Sequence, residues 1–329
     1  MPKSKLVTIY GGSGFVGRYI ARRMAQQGWR VRVAVRHPND AIFVRPYGVV
    51  GQVEPVFCNI RDDDSVRDVA RGADALVNCV GILAESGKNT FGAVQAEGAE
   101  RVARIAKELG TERLVQISAI GADAESDSEY ARTKAKGEAS VLEHRPDAII
   151  LRPSIVFGPE DEFFNRFADM TRFSPLIPVV GAETKFQPVY VDDVAQAAVS
   201  AVLGTAKPGI YELGGPDVRS FAELMHDMLA IVRRRRFLAR LPFPIARLMG
   251  RVSQLVQSLT FGLVPAQITV DQVENLQYDN VVSGDAKTFA DLGITPTSMA
   301  SVLPEYLWRF RPSGQYAAIK ESASDLRPR

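Results

Sequence analysis

Histidine and cysteine are scarce in this chain: His37, His144 and His226 are scattered, and Cys58 and Cys79 are the only cysteines. No group of them has the spacing of a metal site, so a metal centre has no support. Both cysteines fall in predicted apolar strands and read as small buried hydrophobes of a reducing compartment. The start, MPKSKLVTIYGG, carries no apolar h-region and no small-residue cleavage site, so no secretory signal is expected. No uncharged apolar run reaches the roughly 18 residues that would indicate a spanning helix. Acid is missing from one long stretch. Between Leu229 and Val270 there is no Asp or Glu, yet Arg233, Arg234, Arg235, Arg236, Arg240, Arg247 and Arg251 all lie there. The net charge of +2 therefore divides into +7 over these 42 residues and −5 over the other 287.

What is present is an ordinary folded composition, 46% hydrophobic and 24% charged, over 329 residues. That length suits one large α/β unit plus a smaller lobe. Strand and helix patterns alternate through the first half. Apolar, β-branched runs predict strands at Leu6–Tyr10, Arg30–Val35, Val53–Ile60, Ala75–Val80, Leu114–Ser118 and Ala148–Leu151. Helical periodicity lies between them, at Phe15–Gln27, Asp62–Gly72, Asn89–Leu109 and Glu129–Leu142. The succession predicts a Rossmann-type, doubly wound parallel sheet with a smaller C-terminal lobe, and a ligand at the carboxyl ends of its strands.

The first strand runs into Gly11-Gly12-Ser13-Gly14-Phe15-Val16-Gly17, with Gly11, Gly14 and Gly17 at three-residue spacing. A glycine triad alone says little, but this one ends a strand and opens a helix, the context a dinucleotide site requires. Gly11 permits the turn, Gly14 lets a pyrophosphate approach the backbone, and Gly17 lets the helix pack close to the sheet. The phosphates then meet free N–H groups at the positive helix end. The second strand ends at Arg36 and His37, where an NAD site usually places an acid for the ribose hydroxyls. Arg36 would instead pair with a 2′-phosphate, so NADP(H) is the expected cofactor. Further on, Tyr130 and Lys134 have YxxxK spacing within a helical run, so both side chains share one face. In a working reductase such a lysine binds the nicotinamide ribose and lowers the tyrosine pKa, and the tyrosine exchanges a proton with substrate.

TIYGGSGFVG, RVAVRHP, LVNCVGI, LVQISAIGA, YARTK, LRPSIVFGPED, PVYVDDVA and YELGGP occur in the order found in extended and atypical short-chain dehydrogenase/reductases, over residues 5–216. Within that family the chain resembles the NDUFA-nine-like branch of accessory subunits of respiratory complex I (NADH:ubiquinone oxidoreductase), from mitochondria and alphaproteobacteria. That resemblance extends through the arginine-rich segment and SGDAKTFADLGI, Ser283–Ile294. It implies that Gly11, Ser13, Gly14, Phe15 and Val16 hold the pyrophosphate, with Gly17 beneath them, and that Arg36 meets the 2′-phosphate. Asn59 and Ile60 would flank the adenine, and Val80 and Gly81 the ribose side. Tyr130 and Lys134 would hold the nicotinamide ribose, while Ser118 and Pro153, Ser154, Ile155 and Val156 would border the nicotinamide. The chain departs from the family at one position. Extended members place the catalytic Ser or Thr two residues beyond the strand-end serine, here Ser118, and that position is Ile120. Isoleucine cannot donate a hydrogen bond to a developing oxyanion, which leaves Tyr130 and Lys134 as cofactor holders.

A dinucleotide-binding domain is expected over 1–158, rejoined by strands near 188–191 and 209–212. A smaller partner or substrate lobe is expected from 159–187 and 217–311, followed by a polar tail over 312–329. In that lobe Pro244–Leu259 places Ile245, Leu248, Met249, Val252, Leu255, Val256 and Leu259 on one helical face. Arg247, Arg251, Gln254 and Ser258 take the other. Either the helix packs on its own lobe, or the basic segment 233–264 meets anionic lipid headgroups, a membrane-arm surface or an acidic protein. Nucleic acid is not expected, because no recognition motif accompanies the arginines and the remaining chain is net acidic.

Two main functions stay open at this point. One is an accessory NADP(H)-holding subunit of complex I, at the junction of its peripheral and membrane arms. It would lie peripherally on the cytoplasmic face of a bacterial inner membrane or on the mitochondrial matrix face. The other is a free NADP-dependent reductase or epimerase using Tyr130 and Lys134. A nucleotide-sensing regulator is a third possibility, since this fold hosts many tasks.

Overall fold

A computed structural model describes residues 4–259, 269–312 and 314. Strand and helix alternate as β1 (Leu6–Tyr10), α1 (Phe15–Gln26), β2 (Arg30–Val35), β3 (Val53–Phe57), α2 (Asp63–Ala70), β4 (Ala75–Asn78), α3 (Glu97–Glu108), β5 (Arg113–Ile117), α4 (Glu129–His144) and β6 (Ile149–Pro153). The chain continues through β7 (Val156–Phe157), α5 (Phe164–Phe173), β8 (Leu176–Val180), β9 (Lys185–Phe186), β10 (Val189–Tyr190), α6 (Val191–Leu203) and β11 (Gly209–Leu213). It closes with β12 (Arg219–Ser220), α7 (Phe221–Val232), β13 (Phe237–Leu241), α8 (Phe243–Leu259), α9 (Val270–Asn275) and α10 (Met299–Leu307).

Seven strands form one parallel sheet in the order β11-β6-β5-β4-β1-β2-β3. The order reverses between β1 and β4, so a crevice opens at their carboxyl ends, where α/β sheets bind ligands. β1 and β4 are buried along their whole length, as a sheet covered on both faces requires. One face packs Ile9, Val33, Val77 and Val115 against α1 and α6; the other packs Tyr10, Leu76 and Ile150 against α2, α3 and α4. Each such fully buried aliphatic side chain contributes roughly 1.5–3 kcal/mol. A bidentate ion pair from Arg23 to Asp192, at 2.6 and 2.7 Å, ties α1 to α6.

β11 joins the sheet beside β6 as anticipated, but the segment near 188–191 does not. β10 pairs with β7 in a separate two-stranded sheet, because β7 has already turned out of the main sheet after Pro153. The helix expected over Asn89–Leu109 also differs: a π turn at Gly92–Ala96 precedes α3. That turn brings the Gln95 carbonyl against α4, where a Cβ on Gly137 would lie 2.6 Å from it. Glycine is therefore what lets α4 lie this close. The second lobe has its own core around Phe157, Phe164, Phe221, Met225 and Leu303.

Candidate functional site

The glycine loop has the backbone the sequence anticipates. Gly11 adopts φ +71°, and its N–H donates to Ala34 O at 2.9 Å, binding the turn to β2. A Cβ on Gly17 would sit 2.4 Å from Gly11 O, so the first turn of α1 rests directly on the loop. Gly14 caps α1 without a side-chain hydrogen bond, and no acid lies in the first turn. The amides there are oriented to receive an anion. Arg18, which has no separate signal in the sequence, buttresses the loop: its guanidinium donates to Ser13 O at 3.0 Å and Gly14 O at 3.3 Å and stacks on Phe43.

Two other expected positions lie beside the glycine loop and Lys134. Val80 reaches within 3.2 Å of where a Gly11 Cβ would lie, and Gly81 faces Lys134, whose Nζ would lie 3.4 Å from a Cβ there. Ile60 is buried under Gly98 of α3. The Asn59 carboxamide turns back to accept from Arg61 N–H at 3.2 Å. Arg36 is exposed and makes no hydrogen bond or ion pair among the described residues. Ser154 is engaged within the protein. Its hydroxyl is committed to Asn280 of the second lobe, at 2.9 Å to the carbonyl and 2.7 Å to Oδ1, and it accepts from Gln187 N–H.

α4 presents Tyr130 and Lys134 to the crevice. The Tyr130 ring meets Phe91 edge-on, with centroids 5.9 Å apart, and Lys134 Nζ lies 5.8 Å from the tyrosine centroid. Burial pushes Lys134 down to about 8, opposed by Glu138 and Cys79. Burial, helped by the Asp271 carboxylate, pushes Tyr130 up to about 12. This differs from the activated tyrosine expected of a working reductase. Burial is the largest cause at both groups, and it acts against the charged form of each.

Ile120, two residues beyond Ser118, is buried. Its backbone is fixed on both sides: its N–H donates to Pro153 O at 3.0 Å, and its carbonyl accepts from Asn280 Nδ2 at 3.1 Å. Nearby, Ser118 Oγ is buried without a partner. A buried hydroxyl left unpaired costs about 1–3 kcal/mol, so a polar ligand group beside it would be favoured. The glycine cradle, the free Arg36 and this orphan hydroxyl all fit a dinucleotide. Arg18, Asn280 and Asp271 are site-building residues that the sequence did not expose.

On the second lobe, α8 presents its apolar face outward. Ile245, Leu248, Met249, Val252 and Leu255 are exposed, Leu248 at 61%, while Ala246 and Gly250 face the protein. The small residues pack inward because Gly250 lies against the Thr269–Val270 backbone, where a Cβ would be 3.0 Å from Val270 N. Phe237, also exposed, stands opposite Leu176 in the β13–β8 ladder, and the exposed Phe173 precedes that strand. The side chains of Val256, Ser258 and Leu259, and residues 260–264, lie outside the described residues. No helix among the described residues is long and apolar enough to cross a membrane.

A reversed strand order, a glycine cradle at the switch point and a Tyr–Lys helix beside it define a nucleotide-binding protein of the short-chain dehydrogenase/reductase class. The chain belongs to the NAD dependent epimerase/dehydratase family, whose model matches residues 7–214. It is similar to the mitochondrial NADH dehydrogenase [ubiquinone] 1 alpha subcomplex subunit 9 of Arabidopsis thaliana, 36% identical over 94% of this chain and 79% of that one. It is also similar to the ceramide reductase of Caulobacter vibrioides, 31% identical over 80% of this chain and 83% of that one. The dTDP-glucose 4,6-dehydratase DesIV of Streptomyces venezuelae, solved with NAD bound, shares the fold at a TM-score of 0.70. It is 17% identical and covers 95% of this chain and 99% of its own.

Proposed function

We propose that this chain is an accessory subunit of respiratory complex I that holds NADP(H) without turning it over. It would dock peripherally at the junction of the peripheral and membrane arms. One observation carries the reading: Gly17 packs on Gly11 beneath the open amides of α1, whereas the position where a carbonyl-polarising hydroxyl would be expected is the pinned Ile120. The similarity to a complex I subunit over nearly the whole chain supports the same assignment.

In this reading α1 and the loop from Gly11 to Val16 receive the pyrophosphate, and Arg36 pairs with the 2′-phosphate that a carboxylate would repel. Lys134 and Tyr130 hold the nicotinamide ribose. When bound, the nicotinamide would be capable of hydride transfer, but the Ile120 side chain has no hydrogen to donate to a developing oxyanion. Bound nucleotide then acts as a stabilising ligand of the folded subunit. The outward face of α8, with Arg251 and the arginines of 233–240, would lie against anionic headgroups or the membrane arm.

Detergent extraction of native membranes tests the assignment. The chain should migrate stoichiometrically with the complex, and native mass spectrometry should find NADP(H) on it. A soluble monomer that oxidises NADPH with a carbonyl substrate would overturn it. The similarity to a ceramide reductase favours, as second reading, a reductase of a lipid ketone working at the membrane surface. Steady NADPH consumption with ketone-bearing sphingolipid in vesicles would select that one.

A further inference from the structure

The helix that carries Tyr130 and Lys134 is capped from the other lobe. Asp271, in the first turn of α9, accepts the backbone N–H of Glu129 at 2.6 Å and of Tyr130 at 3.4 Å. Its other oxygen accepts the Ser128 hydroxyl at 3.0 Å, while that hydroxyl in turn accepts from Ala131 N–H at 3.2 Å. A carboxylate here meets both the orphan amides of α4 and the positive end of its dipole, and charge-assisted bonds of this kind are about twice as strong as neutral ones. The cap is 142 positions from the amide it serves.

Asp271 is itself held firmly. Thr269 and Gln272 close a capping box at the start of α9, and Asn275 Nδ2 lies 3.4 Å from the Asp271 carboxylate. Gln272 Nε2 donates to Leu83 O at 3.2 Å, which ties α9 to the loop that leaves β4 at the crevice. On its far side α9 is clamped to α8, where Arg247 donates to Glu274 at 2.7 and 3.0 Å. A continuous path thus runs from the outward-facing helix α8, through α9, to the first turn of α4.

We infer that Asp271 is a positioning residue for the nucleotide site: supplied by the second lobe, it seats the first turn of α4 and so fixes where Tyr130 and Lys134 meet the nicotinamide ribose. The inference rests on the nucleotide-holding reading above. It adds that the lobe bearing the outward face of α8 helps to build the cofactor site.

Titration of the full chain with NADPH, followed by nicotinamide fluorescence and anisotropy, tests this. Asp271→Ala is expected to weaken NADPH on the order of fivefold or more and to shift the emission of what remains bound. Asp271→Asn, which keeps an acceptor oxygen but loses the charge, should fall between the two. Ser220→Ala removes the capping box of α7 in the second lobe and controls for stability alone. It should lower Tm and leave affinity and emission unchanged. If Asp271→Ala is folded and matches the parent in both affinity and emission, the positioning role is wrong and the nucleotide reading stands. Should Ser220→Ala perturb NADPH equally, the effect belongs to stability and the proposal fails. If the parent chain takes up neither NADPH nor NADH, the nucleotide reading itself falls, and this inference with it. Where Asp271→Ala does not fold, Asp271→Asn carries the same comparison.

Discussion

Gly17 and Gly11 touch through the one geometry that glycine alone permits: a β-carbon at position 17 would lie 2.4 Å from the carbonyl oxygen of Gly11. The obstacle is backbone on both sides, so no side-chain rotation relieves it. Gly17→Ala should push α1 away from the sheet, cost about 1–3 kcal/mol as overpacking does, and widen the amide cradle. Thermal unfolding and NADPH titration should show both losses together. A variant that keeps parental Tm and affinity would mean the loop is not held by this contact.

Arg36 is exposed and holds nothing among the described residues, so removing it should leave stability within about 0.5 kcal/mol. Hydrogen bonds to charged groups contribute about 1.5–3 kcal/mol, so Arg36→Ala should weaken NADPH on the order of tenfold to a hundredfold. NADH affinity should hardly change. Parallel calorimetric titrations decide the matter; equal loss for both nucleotides would remove Arg36 from the 2′-phosphate.

Lys134 gives the site a pH dependence with a defined sign. Its buried ammonium is held down to about 8, below the unfolded value of 10.5. Between those values the unfolded chain binds the extra proton, so this group's contribution to stability rises with pH across that window and is unfavourable below it. Lys134→Met should therefore stabilise the nucleotide-free chain near neutral pH, by a margin that closes as pH rises above 8. In the proposed function, ribose oxygens would favour the ammonium and reverse the preference. NADPH binding should take up protons and weaken above pH 8, an effect that calorimetry in buffers of different ionisation enthalpy would read and that Lys134→Met should abolish.

On α8, Leu248 and Val252 are exposed, so Leu248→Glu with Val252→Glu should leave Tm within about a degree or two. The same pair should abolish co-sedimentation with anionic vesicles, since a membrane-facing apolar face does not tolerate carboxylates. Unchanged vesicle binding would place the docking surface elsewhere.

Most of the sheet was legible from pattern. Ala75–Asn78 is apolar throughout because both faces are covered, and the glycines of the first turn announce their own purpose by spacing. The periodicity of Pro244–Leu259 was equally plain, but not which side of the helix would face water. Hydrophobicity alone puts Leu248 and Val252 inward; the close approach of Gly250 to α9 puts them outward.

The sequence by itself determined the parallel αβ order, the nucleotide cradle and the lack of a hydroxyl at Ile120, because these rest on periodicity and on residue types at fixed local spacing. Only the tertiary structure decided that Ser154 is drawn away to Asn280, that Tyr130 is pushed up rather than down, and that Asp271 caps α4. Each of these depends on contacts between residues far apart along the chain, and on a burial that no local spacing encodes.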